Sequence, residues 1–338
     1  MTRSRAIYGC AGTTVSAEER AFFAGEKPWG FILFARNISS RAQVRDLVAQ
    51  LRDTIGDAHA PVLIDQEGGR VARLRPPEWP QRPAAERFAL LHNIAPQAAH
   101  EAAYLNARLI ANDLAELGIN VDCVPVLDVP VDGADKVIGD RAYGRDPTVI
   151  IELGRATIEG MIEGGVLPVM KHIPGHGRAT ADTHFELPHV TASREELSAT
   201  DFVTFRSLSD CPMAMTAHVV YDAIDAQRPA TTSPRLIKEI IRGEIGFDGL
   251  LMSDDLSMNA LAGTLASRCK AALFAGCDIV LHCNGKMDEM KEVAGETKPL
   301  EDAALKRAEA ALAHLSKPDE FDARAGTDRL NILLETAA

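Results

Sequence analysis

Eight short apolar runs recur along the chain, and segments with polar faces separate them. Within each run the hydrophobic positions are continuous rather than alternating, which is the pattern of parallel strands covered on both faces. The predicted strands are residues 6–11, 30–35, 61–65, 121–125, 167–171, 213–217, 250–254 and 278–282.

The segments between these runs have helical periodicity. In 41–55 the apolar side chains recur every three or four positions, which predicts a helix with one buried stripe, and the serines at 39–40 are candidate caps. Pro147 follows an aspartate at a predicted helix start, and Ser193 with Glu196 forms a capping-box pattern before another helix.

Strands that alternate with amphipathic helices, without a long polar linker, predict an α/β fold consisting of a single (β/α)₈ TIM-type barrel. A doubly wound open sheet is the alternative, but its usual phosphate-binding fingerprint GxGxxG is missing and no GxxxxGK[ST] occurs. We expect one domain over residues 1–338, with a core of about 6–316 and a more polar tail at 317–338.

Composition and net charge limit the classes of molecule that this protein is expected to bind. The 338 residues are 46% hydrophobic and 25% charged, as in globular proteins, and the net charge is −12. Such a surface repels nucleic-acid phosphates and anionic lipid headgroups, so we expect neither nucleic acid nor membrane as a partner. No window approaches the roughly 20 uncharged apolar residues of a membrane helix.

The first twelve residues and the cysteines bear on the cellular compartment. Residues 1–12 are basic, then apolar, then reach a cysteine that resembles a lipoprotein cleavage point, but the apolar run covers only 6–10. A signal sequence needs about 7 to 15 apolar residues, so we expect a cytoplasmic protein. The six cysteines are scattered without a CxxC pair, which argues against a disulfide framework or a zinc site.

Titratable side chains end six of the eight predicted strands. In a parallel barrel, reactive groups lie at the C-terminal ends of the strands and in the loops that follow. The strand-end residues are Asp65, Asp128, Lys171, His172, His218, Asp254, Asp255 and His282. Each one alone could equally be a solvated loop-end side chain.

The stretch 171–189 holds four of the ten histidines, and two chemistries could use it. A metal site is one of them, with the ligands His172, His176, Asp182 and His184. However, Pro174 and Gly175 interrupt any helix there, so the spacing that would bring paired histidines onto one metal is lost. We therefore expect no metal.

A proton shuttle is the second chemistry for this stretch. Asp182 and His184 lie two positions apart, so in an extended loop they share a face and the carboxylate can fix the imidazole tautomer. A histidine near its reference pKa of about 6.5 can donate and recover a proton at neutral pH. On spacing alone, an ordinary surface contact between the two remains open.

Asp254 has the position expected of a nucleophile. It follows an apolar run directly, so its ionised oxygen should project into the barrel mouth, although a helix-capping role is equally compatible with the sequence. Asp255 should point to the other side of the chain and make a structural contact.

Five ordered motifs together resemble family 3 glycoside hydrolases, and most closely the bacterial β-N-acetylglucosaminidases of peptidoglycan recycling. The motifs are DQEGGRVARL at 65–74, DRAYGRDP at 140–147, KHIPGHG at 171–177, ADTH at 181–184 and SDDLSM at 253–258. The resemblance covers about residues 6–284, nearly the whole predicted barrel.

The resemblance implies the catalytic roles. Asp254 matches the family nucleophile that forms a covalent glycosyl-enzyme, His184 matches the acid/base of this subfamily, and Asp182 is its partner. Two inversions then give net retention of configuration. Retaining enzymes usually pair two carboxylates, so an imidazole acid departs from the common pattern.

The resemblance also implies the sugar site, with no metal or organic cofactor. The residues expected to bind a non-reducing N-acetylglucosamine are Asp65, Arg73, Arg141, Lys171 and His172. Arg70 in the same motif could instead pair with Glu67, and His176 is expected to shape the loop. Since the chain ends soon after the barrel, we expect an open site that accepts a large leaving group such as an anhydro-muropeptide.

Three other functions remain alternatives to this hydrolase. A glycoside phosphorylase is one, because a histidine repels incoming phosphate less than a carboxylate does. A non-catalytic sugar-binding barrel and a metal-dependent amidohydrolase are the others. The sequence does not define the oligomeric state.

Overall fold

Eight parallel strands close into a barrel in the computed structural model, which describes residues 3–179, 183 and 187–335. The barrel strands are β1 (Ser4–Gly9), β2 (Pro28–Leu33), β3 (Val62–Ile64), β4 (Val121–Asp122), β5 (Leu167–Ile173), β7 (Met213–Thr216), β10 (Leu250–Asp255) and β11 (Ile279–His282). Their order around the barrel is β1-β11-β10-β7-β5-β4-β3-β2. This confirms the barrel and excludes the open sheet.

Each apolar run predicted as a strand contributes one strand of the barrel. The first begins two residues earlier than predicted, and β5 continues two residues further, to Ile173. β4 is short, and Pro125 beyond it has no N–H to donate to a neighbouring strand. A small sheet beside the barrel consists of β6 (His189–Val190), β8 (Val220–Tyr221) and β9 (Asp225–Pro229).

Helices pack around the outside of the barrel. The α-helices are α1 (Ala17–Glu26), α2 (Arg41–Ile55), α3 (Ala85–His92), α4 (Pro96–Ala115), α5 (Pro147–Glu163), α6 (Arg194–Ser207), α7 (Leu265–Ala275), α8 (Met287–Ala294), α9 (Asp302–Leu312) and α10 (Ala323–Glu335). Three short 3₁₀ turns, Ala35–Asn37, Gly139–Arg141 and Ala230–Thr232, and a π-helical segment, Leu236–Glu244, complete the described helical structure.

Helix starts follow the predicted cap chemistry. The helix over 41–55 has the predicted bounds, and the Ser40 side chain accepts the N–H of Gln43 as its N-cap. At the start of α6 only half of the predicted capping box is present: Ser193 accepts the N–H of Glu196, but the Glu196 carboxylate accepts a hydrogen bond from Arg178 of the loop after β5. Glu196 thus ties that loop to α6.

The barrel interior is a packed apolar core rather than a pore, as in other barrels of this type. Its members include Ile7, Leu63, Val121 and Met252, all inaccessible to solvent, and α9 packs against them through small side chains such as Ala308. A second apolar layer lies between the strands and the surrounding helices.

The predicted polar tail contains α10, which packs against α4. Leu330 and Leu333 are buried in that contact, whereas Ile332 is exposed. Within the described residues, no helix combines the length and apolar character that crossing a bilayer requires.

Candidate active site

A cavity of about 290 Å³ opens at the C-terminal ends of the barrel strands. Its wall is part charged and part apolar. The residues that line it are Ile32, Phe34, Asp65, Glu67, Arg70, Val71, Arg73, Val137, Ile138, Arg141, Lys171, His172, His176, Thr183, Met215, Asp254, Asp255, Met258, Leu281 and Cys283.

Six of the eight residues predicted for the site line this cavity. They are Asp65, Arg73, Arg141, Lys171, His172 and Asp254. The other two, Asp182 and His184, lie outside the described residues. Thr183, between them in sequence, is described: it is buried, lines the cavity, and accepts the N–H of Ala260 with its carbonyl oxygen.

Irregular strand ends bring consecutive side chains to the cavity. Neighbouring residues of a regular strand point to opposite faces, but a register shift breaks that alternation. The β5–β7 register shifts between Lys171 and Ile173, where Lys171 and His172 both line the cavity. The β10–β11 register shifts before Asp255, which lines the cavity, so the expectation that Asp255 turns away was wrong. The structural contact expected of Asp255 is confirmed, because its carboxylate accepts hydrogen bonds from Ser257 and from the N–H of Cys283.

Five charged side chains alternate in sign across one wall of the cavity. Asp65 accepts from Arg73 at 3.0 Å and from Lys171 at 2.8 Å. Glu67 binds Lys171 at 2.7 Å and accepts two hydrogen bonds from Arg141, both 2.8 Å long. Three cations and two anions leave this network with a formal charge of +1.

Mutual pairing keeps the network ionised despite its burial. Burial by itself would raise the pKa of Glu67, but Arg141 and Lys171 bring it down to about 2. Burial likewise opposes ionisation of Asp65, yet Lys171 and Arg73 hold its pKa well below the usual range. Burial would lower the pKa of Lys171, and the two carboxylates raise it instead.

Glu67 received no site role from the sequence. The hypothesis that it pairs with Arg70 was wrong, because Arg70 donates to Asp140 at 2.7 Å and to backbone carbonyls of 136–138. The available signal was its place within DQEGGR, two residues after Asp65. Its partner Arg141 is 74 positions away in sequence.

Backbone contacts shape the segment that carries Asp65, Glu67 and Arg73. The side-chain oxygen of Gln66 accepts the N–H groups of Arg73 and Leu74, both at 2.9 Å. Gly68 has φ +92°, and a Cβ there would lie 2.2 Å from the carbonyl oxygen of Pro83. Only glycine fits at this position.

Asp128 orients His172. It accepts from His172 Nδ1 at 2.7 Å and from the N–H of His176 at 2.7 Å. Burial would raise the pKa of Asp128, but His172 lowers it to about 2, so the carboxylate stays charged. The Nδ1–H tautomer then leaves Nε2 of His172 uncommitted to Asp128.

The other two described histidines of 171–189, His176 and His189, have different surroundings. His176 lines the cavity besides shaping the loop, and burial lowers its pKa to about 4, which keeps it neutral. His189 lies on the small sheet, half exposed and paired with Asp222 at 2.8 Å. Among residues 3–179, 183 and 187–335 there is no group of three side chains able to hold a metal ion.

Asp254 is held ionised at the mouth of the seventh barrel strand. Burial opposes its ionisation, but the neighbouring His218 and His172 lower its pKa. Its Oδ1 accepts the N–H of Asp255 at 2.7 Å. His218 contacts the carbonyl oxygen of Asp255 at 3.0 Å, and the Asp255 carboxylate accepts the N–H of Cys283, so the turn is fixed on both sides.

Comparison with known proteins identifies the family. The model of the glycosyl hydrolase family 3 N-terminal domain matches residues 10–316. The chain belongs to glycosyl hydrolase family 3. It is therefore a glycoside hydrolase, and the resemblance noted in its five motifs is confirmed.

Curated relatives and solved structures agree with this assignment. A β-hexosaminidase from Alkalilimnicola ehrlichii is 41% identical over 285 residues, which cover 82% of this chain and 80% of the relative. Native NagZ from Neisseria gonorrhoeae superposes with a TM-score of 0.87 at 30% identity, covering 100% of this chain and 99% of that one. The same Neisseria protein has been solved with N-trifluoroacetyl-D-glucosamine, also with a TM-score of 0.87 and 30% identity, covering 100% of this chain and 99% of that one.

Proposed function

We propose that this chain is a retaining exo-β-N-acetylglucosaminidase that releases terminal, non-reducing β-linked N-acetylglucosamine. The observation that carries the proposal is an ionised, buried carboxylate, Asp254, in the same cavity as a network of paired cations and carboxylates. The names of the relatives and the N-acylglucosamine complex of the Neisseria protein support this choice of sugar.

Asp254 is the nucleophile in this proposal. Its oxygen attacks the anomeric carbon and forms an acylal-type ester bond to the sugar as the leaving-group oxygen departs. The lowered pKa of Asp254 supports this role, because only the carboxylate form can attack at neutral pH. Its Oδ1 is engaged by a backbone N–H, which leaves Oδ2 for the attack.

His184 is the acid/base, with Asp182 fixing its tautomer. The imidazolium donates a proton to the leaving oxygen, and the neutral imidazole then takes a proton from the water that cleaves the ester. Two displacements at the anomeric carbon restore its configuration. The support is positional, since Thr183, flanked by these two residues in sequence, lines the cavity that holds Asp254.

The charged network is the sugar-binding wall. The N–H groups of Arg73, Arg141 and Lys171 can donate to hydroxyl and acetamido oxygens, and the carboxylate of Asp65 can accept from hydroxyls. His172 offers the ring nitrogen that Asp128 does not use. The +1 charge of the wall offsets the negative charge of Asp254, so an uncharged sugar enters a nearly neutral site.

We further propose that the substrates are peptidoglycan fragments in which N-acetylglucosamine is linked to an anhydro-muropeptide. The enzyme acts on them in the cytoplasm. A cavity of about 290 Å³ suits one sugar residue and leaves the aglycone outside, which supports exo action. All six cysteines are free and buried, as is usual in a reducing compartment.

The decisive test is incubation with an aryl N-acetyl-β-glucosaminide, rapid acid quenching and peptide mass analysis. We expect a glycosyl adduct on the peptide that contains Asp254, and free N-acetylglucosamine as the product. An adduct on another peptide, or no turnover at all, would contradict the proposal. Sugar 1-phosphate formed only in phosphate buffer would identify a phosphorylase instead.

A further inference from the structure

Glu67, like Asp65, binds two of the predicted sugar-binding cations at once, but unlike Asp65 it was not itself predicted to contact the sugar. Its Oε1 lies 2.7 Å from Lys171 Nζ, and its two oxygens accept from Nε and Nη2 of Arg141. The Glu67 side chain is only 6% exposed, so its carboxylate faces cations rather than water.

This contact links the Arg141 side chain to the barrel. Arg141 ends a 3₁₀ turn in the long connection between β4 and α5, and its other side-chain hydrogen bond goes to the carbonyl of Val137 in the same connection. A contact within one loop cannot fix that loop relative to the barrel. The bidentate bond to Glu67 does, because Glu67 lies only three residues beyond the end of β3.

The hairpin that carries Glu67 also contacts the loop between β4 and α5 at a second point. The N–H of Glu67 bonds to the carbonyl of Val71, which closes the hairpin. Arg70 at its tip donates to Asp140 and to carbonyls of 136–138. The loop between β4 and α5 is thus held at two points, by the Glu67 carboxylate and by the Arg70 guanidinium.

We propose that Glu67 is a positioning residue that sets Arg141 and Lys171 in the geometry that binds the sugar. This inference rests on the proposed function, in which those two cations contact substrate. Glu67 acts through them, and its carboxylate is already saturated by charged donors. Replacing it with glutamine raises the formal charge of the network from +1 to +2 and removes one acceptor of the bidentate pair.

The first experiment measures binding without turnover. ¹⁹F NMR titration with N-trifluoroacetyl-D-glucosamine compares the wild type with Glu67→Gln. We expect binding to weaken at least about tenfold, because removing one partner of a buried, hydrogen-bonded charge pair leaves the opposite charge unpaired. Unchanged affinity in the variant would overturn the inference.

A matched control separates positioning from general destabilisation. Asp278 is also a buried carboxylate between two guanidiniums, Arg242 at 2.7 Å and Arg307 at 3.2 Å, but it precedes β11 at the opposite end of the barrel. Asp278→Asn should lower the free energy of unfolding while leaving ligand affinity within about twofold. If both variants lose affinity equally, Glu67 has only a structural role.

The second experiment is a double-mutant cycle on kcat/KM with an aryl N-acetyl-β-glucosaminide. If Glu67 acts through Arg141, the combined loss in Glu67→Gln/Arg141→Met must be clearly smaller than the product of the two single losses. Losses that multiply would overturn the inference. Should Glu67→Gln fail to fold, Glu67→Asp keeps the charge one methylene short, and the same titration and cycle apply to it.

These measurements distinguish failure of the proposed function from failure of the positioning role of Glu67. A wild type that binds no N-acylglucosamine and cleaves no aryl glycoside contradicts the proposed function. A wild type that does both, with a Glu67→Gln variant indistinguishable from it, contradicts the positioning role alone.

Discussion

At the scale of single residues, the nucleophile gives the strongest prediction. Asp254→Asn removes the negative oxygen that would attack the sugar, so kcat should fall by at least about 1,000-fold with a similar KM. Steady-state kinetics on an aryl N-acetyl-β-glucosaminide measure both. Asp222→Asn, which alters a half-exposed carboxylate paired with His189, should leave kcat unchanged.

The acid/base role of His184 predicts a dependence on the leaving group. His184→Ala should slow substrates with poor leaving groups by about 10²- to 10⁴-fold, and activated aryl glycosides much less, because an activated leaving group departs without protonation. A plot of log kcat/KM against leaving-group pKa measures this. Equal losses on both substrate types would rule out the acid role.

Asp122 gives a prediction for stability against pH. Burial raises its pKa to about 8, with the N–H of Gln66 opposing, so the folded protein holds a neutral carboxyl there at neutral pH. Because the folded pKa exceeds the unfolded value, the stability that this group contributes is complete below the unfolded pKa of 3.8. It is lost as the pH rises towards about 8.

Asp122→Asn removes this titration while keeping the shape of the side chain. We expect the variant to gain free energy of unfolding relative to the wild type between about pH 4 and 8, by a few kcal/mol in total at most. Urea unfolding at pH 4, 6 and 8 measures the difference. A difference that does not change with pH would contradict a neutral Asp122.

At the scale of secondary-structure elements, helix caps are testable one at a time. The sequence offered both serines at 39–40 as caps of α2, and the structure selects Ser40. Ser40→Ala should cost about 1 kcal/mol of stability, since the N–H of Gln43 loses its acceptor. Ser39→Ala is the matched control, because Ser39 is exposed and contacts only the side chain of Gln43 through its hydroxyl. Chemical denaturation of both variants gives the comparison.

At the strand ends, the hydrophobic pattern of a single strand is not sufficient to predict which face a side chain occupies. Continuous apolar runs predicted all eight barrel strands, because burial on both faces leaves a signal in composition. Which faces the side chains of Lys171 and Asp255 occupy depends on register shifts against the neighbouring strands. Those shifts arise from pairing between distant segments, and no periodicity within one strand encodes them.

At the scale of the whole molecule, barrel closure assembles the site. Asp65 and Lys171 are 106 positions apart in sequence and form an ion pair because β3, β4 and β5 are adjacent in the barrel. A protein of net charge −12 thereby builds one cavity wall with a local charge of +1. Overall charge disfavoured nucleic acid as a partner, but it carried no information about this local excess of cations.

The sequence pattern alone determined the barrel, the position of its strands and the place of Asp65, Lys171, His172 and Asp254 in one cavity, while Arg73 and Arg141 were expected there from the family resemblance. Hydrophobic periodicity is local, and the C-terminal ends of parallel strands must meet at one end of a barrel. Tertiary structure alone decided the partners: Glu67 with Arg141, Asp128 with His172, and His218 beside Asp254. Ion pairs form between the charged side chains that the closed barrel brings within contact distance. The local sequence around either side chain does not encode the distance between them.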